Sequence, residues 1–158
     1  MSLIRNSGAV LSSRIPIGYV DIRVFAHATE EADKVLNAVR NLLSPELVDI
    51  VVFKKTNLTG HHGNPIILFE TRIKEKNAAQ TVFEKLSLGL STLDKELLNS
   101  EINQHLDKGN LYVRLDKQSA YLNELKLSSA DSIHFRIHFK KHSQAEVIDI
   151  CRKFGLLP

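Results

Sequence analysis

The sequence predicts an α+β fold: a mainly antiparallel sheet with helices on one face only, an open-faced sandwich. Two observations carry that reading. The strand segments alternate apolar and polar residues instead of running uniformly apolar, which marks a sheet with one buried and one solvated face. The elements follow in the order strand, helix, hairpin, long helical region, strand, short helix, strand, helix.

Taken in order, Met1 to Arg14 is polar, with Gly8 and several serines, and holds no sustained period, so it reads as a poorly determined N-terminal segment. From Ile17 to Ala28, Val20, Ile22, Val24 and Ala26 alternate with Asp21, Arg23, Phe25 and His27, a strand with one face buried. Thr29 stands as the N-cap of a helix carrying Ala32, Val35, Leu36, Val39, Leu42 and Leu43, which ends before Pro45. A hairpin spans Val51 to Lys74, its first strand including Val52 and Lys54 and its turn confined between Asn57 and Pro65.

Asn77 and Gln80 suggest the start of the next helix, which Gly89 breaks. Ser91 and Asp94 restart the helical pattern through Leu97, Leu98, Ile102 and Leu106, with Gly109 as its stop. Leu111, Val113 and Leu115 alternate with Tyr112, Arg114 and Asp116 as a short strand, and Lys117 to Leu125 suggests a helical turn or two. Ser132 to Lys140 is the cleanest strand, with Ile133, Phe135, Ile137 and Phe139 opposed to His134, Arg136, His138 and Lys140. Ser143 with Glu146 forms a capping box for a last helix, stopped by Gly155.

With 158 residues, 43% of them hydrophobic, the whole chain 1–158 reads as one domain large enough to bury a core. One cysteine, Cys151, excludes an intramolecular disulfide and fits a reducing, cytoplasmic setting. No run approaches the roughly 18 apolar residues of a membrane span, and the N-terminus lacks a signal-peptide pattern, so no membrane association is expected. The formal net charge is +3, and its cations collect on the strands while the acids gather on the helices around Glu30, Glu31, Asp94 and Glu96.

The hairpin turn concentrates Gly60, His61, His62, Gly63, Asn64 and Pro65, flanked by Lys54 and Lys55, and is the expected contact surface. The solvated sheet face is expected to carry Arg23, His27, Tyr112, Arg114, His134, Arg136, His138 and Lys140, a basic surface suited to phosphates. Tyr19, Phe25, Tyr112 and Tyr121 are the candidate stacking rings, and there is no tryptophan. Neighbouring side chains on extended backbone point apart, so His61 and His62 are not expected to share a metal. His134 and His138 lie about 13 Å apart along a strand. No phosphate-binding glycine loop, nucleophile elbow or metal-ligand spacing is present, so neither a cofactor nor an enzymatic activity is expected.

Two motifs, GHHGNPI at 60–66 and LYVRLDKQSAY at 111–121, followed closely by ADSIHFRIHF, together resemble an archaeal family of small RNA-binding proteins that includes predicted subunits of the RNA exosome. The resemblance covers most of the chain. It implies a fold similar to that of a ribosomal protein that contacts 5S RNA, and no catalytic activity. The family's loop falls on Gly60 to Pro65 and its second motif on Arg114, Asp116, Lys117, Gln118 and Tyr121. The final strand departs from the pattern, with His134 and His138 in place of more basic or small apolar residues.

These readings converge on a cytoplasmic RNA-binding protein whose candidate contacts are Lys54, Lys55, His61, His62, Asn64, Arg114, Lys117, Gln118, Tyr121 and Arg136. Its expected partners are RNA and subunits of an RNA-processing assembly, and a homo-oligomer is left open. Two alternatives stand beside it: an adaptor that contacts only protein, and a hydrolase or nuclease acting through His61 or His62.

Overall fold

In the computed structural model, residues 14–140 and 142–158 are described; the N-terminal segment expected to be poorly determined falls outside them except for Arg14. Six strands form one antiparallel sheet: β1 Ile17–Ala26, β2 Lys54–Thr59, β3 Pro65–Ile73, β4 Leu106–Asp107, β5 Asn110–Asp116 and β6 Ser132–Phe139. Their spatial order is β2-β3-β1-β6-β5-β4, every pairing antiparallel, as the alternation of face polarity predicts.

One face of the sheet is the core. Val20, Ile22 and Val24 of β1, Val113 and Leu115 of β5, and Ile133, Phe135 and Ile137 of β6 are at most 1% exposed. The helices α1 Ala32–Asn41, α2 Pro45–Val48, α3 Lys76–Gly89, α4 Thr92–Ser100, α5 Ile102–His105, α6 Lys117–Tyr121 and α7 Gln144–Lys153 complete the chain. Val35 and Val39 of α1, Val82, Phe83 and Leu86 of α3, and Val147 and Cys151 of α7 join that core, and Phe83 meets Phe139 edge to face. Burial pushes the Cys151 thiol up to about 12, so it stays protonated and inert. None of the described helices is long and apolar enough to cross a membrane.

Several expected boundaries move, each for a local reason. The first strand ends at Ala26, because the chain turns there: Glu30 N–H donates to the His27 carbonyl and the Glu30 carboxylate accepts from the His27 N–H. That turn absorbs Thr29, and Glu31 becomes the N-cap of α1. The C-terminal carbonyls past α1 find Lys85, whose ammonium donates to the Asn41 and Leu43 oxygens; burial holds its pKa below the ordinary lysine value. For α3 the cap is Glu75 and not Asn77, since its carboxylate accepts from the Asn77 and Ala78 amides.

Val51 to Phe53 lie outside the hairpin, whose ladder begins at Lys54 opposite Glu70. It runs on to Thr59 opposite Pro65, so the turn is shorter than predicted, only Gly60 to Asn64. Leu106 leaves the helical pattern to pair with Leu111, and Gly109 is not a helix stop. Lys108 (φ 50°) and Gly109 (φ 82°) form a two-residue hairpin turn of the type that requires positive φ at both positions. The last helix keeps its expected start, with Ser143 and Glu146 bonded reciprocally as a capping box, and Gly155 follows with φ 84°.

Candidate nucleic-acid interface

The strand pairing sets which side chains stand beside one another on the solvated face, because directly opposed residues lie within about 5 Å of each other across a ladder. Two neighbouring rows result. In the first, Arg72 of β3, Asp21 of β1, Arg136 of β6 and Tyr112 of β5 are in register. In the second, one step of the pleat away, the order is Lys54, Glu70, Arg23, His134 and Arg114 across β2, β3, β1, β6 and β5.

The first row is closed upon itself. Asp21 accepts from Arg72 at 2.7 and 3.0 Å and from Arg136 at 2.8 Å. Burial works against its charge, but the two guanidinium groups outweigh burial and hold the carboxyl below the usual aspartate value. Tyr19 stiffens the arrangement, with the Arg72 guanidinium 3.9 Å from its ring centre and the His138 ring stacked at 4.8 Å.

The second row is open. The ion pairs among the described residues engage none of Lys54, Arg23 and Arg114. His134, half-buried between the two arginines, is held below the ordinary histidine value first by burial and then by Arg114 and Arg23, with Asp131 opposing and Lys117 adding to the effect. Glu70 separates Lys54 from Arg23 and His134 separates Arg23 from Arg114, so the row carries an excess of positive charge that an anion would offset.

Both rows floor a groove of about 1210 Å³ that crosses the strands. Glu101, Gln104 and His105 of the α4–α5 corner wall it beyond β5, Ser128 and Ser129 border its end, and Val52 borders it beside β2. His105 is fixed there by Nδ1 against the Tyr112 carbonyl at 2.9 Å. Five cationic side chains and three carboxylates line the groove, and one of those carboxylates, Asp21, is consumed by two arginines.

The sequence-derived candidates separate on this geometry. Lys54 and Arg114 face the groove, and Arg136 does so through the closed row. Lys55, expected beside Lys54, lies on the other side of the sheet, near Phe53 and Phe69, because adjacent strand residues point to opposite faces. His61 and His62 are exposed at the hairpin tip, about 20 Å along the strand from Lys54, so the lysines and histidines do not form one cluster. Their rings do not point apart as expected: they meet edge to face with centres 5.1 Å apart, because residues 61 and 62 sit in a turn and not on extended backbone. Asn64 packs against Gly60, where any Cβ would come within 2.5 Å of the Asn64 side chain, and Gly63 has φ 79°.

The RLDKQ segment is mainly a structural corner. Asp116 caps α6, accepting from the Ser119 amide and hydroxyl, and those bonds, the amide's first, hold its carboxyl below the usual value against burial. Lys117, 11% exposed, donates to the Phe25 carbonyl at 2.6 Å, to Glu30 at 3.1 Å and to Asp131 at 2.8 Å, and His27 joins Asp131 at 2.9 Å. His27, Glu30 and Asp131 are the one group of described residues close enough to hold a metal ion, and the Lys117 ammonium already supplies their positive charge. Gln118 and Tyr121 are exposed on α6, outside the groove lining.

Arg23, which the alternation places on the solvated face but not among the candidate contacts, completes the open row. The signal that would have found it is the β1–β6 register, which places it opposite His134.

Comparison with known proteins bears on the same span. A family model described as RNA binding matches residues 19–139, which contains every groove-lining residue. An RNA-binding protein of Pyrococcus abyssi is 35% identical over 133 residues, covering 82% of this chain and 86% of that one. Solved structures from Archaeglobus fulgidus (TM-score 0.73, 25% identity, covering 87% of this chain and 99% of that one) and Sulfolobus solfataricus (TM-score 0.71, 27% identity, 86% and 96%) share the fold.

Proposed function

The chain belongs to the RNA-binding family whose model spans its sheet, and on that premise we propose that RNA lies in the groove of the solvated face, its phosphates held by Arg23, Lys54 and Arg114. One observation supports this choice of surface above the others: a cross-strand row in which three cations stand with one carboxylate, Glu70, and none of the three is engaged in an ion pair among the described residues, beside a row in which Asp21 neutralises two. A phosphate backbone offsets the row's excess positive charge and releases its counterions in doing so. Gln104, Ser128 and Ser129 at the groove margin offer hydrogen bonds to ribose or phosphate oxygens.

We propose further that the chain acts without catalysis, as an accessory RNA-contacting subunit of a cytoplasmic RNA-processing assembly of the exosome kind. The GHHGNP and RLDKQ-A-Y resemblance supports that role, and the exposed tip residues His61 and His62, with half-buried Asn64 beside them, supply a contact for RNA or for an assembly partner beyond the groove. Leu93 and Leu97, one turn apart on α4 and 79% and 48% exposed, offer a protein partner an apolar surface away from the groove floor.

The test is RNA affinity at about 50 and 200 mM salt for the intact protein, Arg23→Ala/Arg114→Ala and His61→Ala/His62→Ala. The arginine pair should lose at least about tenfold at low salt and reduce the slope of log affinity against log salt by about 2, one for each phosphate contact. The histidine pair should stay within about twofold if the groove carries the RNA alone. Salt-insensitive or undetectable binding by the intact chain would sink the groove reading and leave the adaptor.

A further inference from the structure

Granting that the groove is where RNA binds, its lining also says which form of RNA fits. Proteins that hold single strands stack successive bases on exposed aromatic rings, whereas base-paired RNA is read by its phosphates and 2′-hydroxyls. The rings that could have served as platforms here are already engaged or lie elsewhere.

Tyr19 stands on β1 with Arg72 against it from β3 and His138 from β6, so its two neighbours come from the strands on either side and its ring is enclosed between them. Neither Tyr19 nor Phe25 lines the groove. Phe135 borders it as well, but is 1% exposed and part of the core. That leaves Tyr112, which stands opposite Arg136 in the closed row and whose carbonyl lies 2.9 Å from His105 Nδ1.

The cations, by contrast, are many and broadly set. Lys54 on β2 and Arg114 on β5 are four strand spacings apart, about 19 Å, with Arg23 between them. Charge spread over that breadth suits two backbones better than one thread, and it carries no base-edge selectivity. We infer that the groove binds base-paired RNA through its backbones, without sequence preference.

The experiment compares a fluorescent RNA duplex of about 16 base pairs, each of its single strands, a duplex of shuffled sequence and the corresponding DNA duplex, all on the full-length protein at one salt concentration. The RNA duplex should bind at least about tenfold tighter than either strand, the shuffled duplex within about twofold, and the DNA duplex more weakly than RNA. Single strands binding as tightly as the duplex, or a sequence preference beyond about tenfold, would overturn the inference while leaving RNA binding in place. Failure of every RNA to bind would instead remove the groove reading on which it rests. Tyr112→Leu provides a second readout: duplex affinity should stay within about threefold, whereas a stacking site would lose an order of magnitude or more.

Discussion

The two cross-strand rows of the solvated face lie one pleat apart, share the same four central strands and are both rich in arginine, yet they do different work. Arg72 and Arg136 converge on Asp21 and on Tyr19, so their charge holds β3, β1 and β6 together. Arg23 stands opposite Glu70 without an ion pair to it, Arg114 has no acid beside it in the row, and the two flank a histidine that burial and their own charge hold below its ordinary value. The difference teaches that an arginine on a sheet is assigned by whether a carboxylate across the strands bonds to it and not by its exposure or its motif. The same rule divides the RLDKQ segment, where Arg114 is open and Lys117, three residues on, is enclosed by Phe25, Glu30 and Asp131.

Lys117→Met puts the sharpest strain on that division. It leaves Glu30 and Asp131 facing one another without their shared ammonium and frees the Phe25 carbonyl at the end of β1. Removing one partner of a buried pair costs about 3–5 kcal/mol, and since Asp131 and Glu30 are 48% and 31% exposed, about 2 kcal/mol is expected here. Denaturant unfolding measures it. The folded fraction should keep its RNA affinity; a variant that stays fully stable but loses RNA would move Lys117 from the structural class to the contact class.

Much of the fold was legible because alternation and capping are local signals. The β6 pattern from Ile133 to Phe139 and the Ser143–Glu146 box are each written in consecutive residues, and both form as read. The candidate site was only partly legible, because it depends on register between strands far apart in the chain. Nothing near Arg23 or Arg114 reveals that each stands opposite His134, more than a hundred residues and twenty residues away respectively. Motif reading drew weight toward GHHGNP and RLDKQ, in which Gly60 and Asn64 shape a hairpin tip and Asp116 caps α6. It also placed Lys54 with Lys55, which the pleat separates.

Asp21→Asn would convert the closed row into an open one. Two guanidinium groups lose their carboxylate, so stability should fall by about 1 kcal/mol, the pairs being partly exposed. The acid's contribution is present above the unfolded aspartate value near 3.9 and is lost as pH falls through the lower folded value, so the variant and the parent should converge in stability toward acid. RNA affinity should move the other way, rising severalfold at about 50 mM salt with a steeper salt slope, because two more cations face the groove. Unchanged or weaker binding would break the proposed equivalence between an unpaired arginine and a contact.

The smallest effect belongs to His134, and its sign differs between folding and binding. Its folded value lies below 6.5, so the unfolded chain takes up a proton first as pH falls; His134 therefore contributes stability above pH 6.5 that declines as pH drops through that value. A phosphate over the Arg23–His134–Arg114 row favours the charged imidazole, so RNA affinity should rise as pH drops from 7.5 to 5.5. His105, near Glu101 at 3.7 Å, also borders the groove, which is why the quantity to measure is the pH dependence of intact protein minus that of His134→Asn. A difference of a few fold, tighter at pH 5.5 only when His134 is present, places a phosphate on the open row. Identical pH profiles for the two proteins would mean that the RNA backbone passes over the cations without reaching the histidine between them.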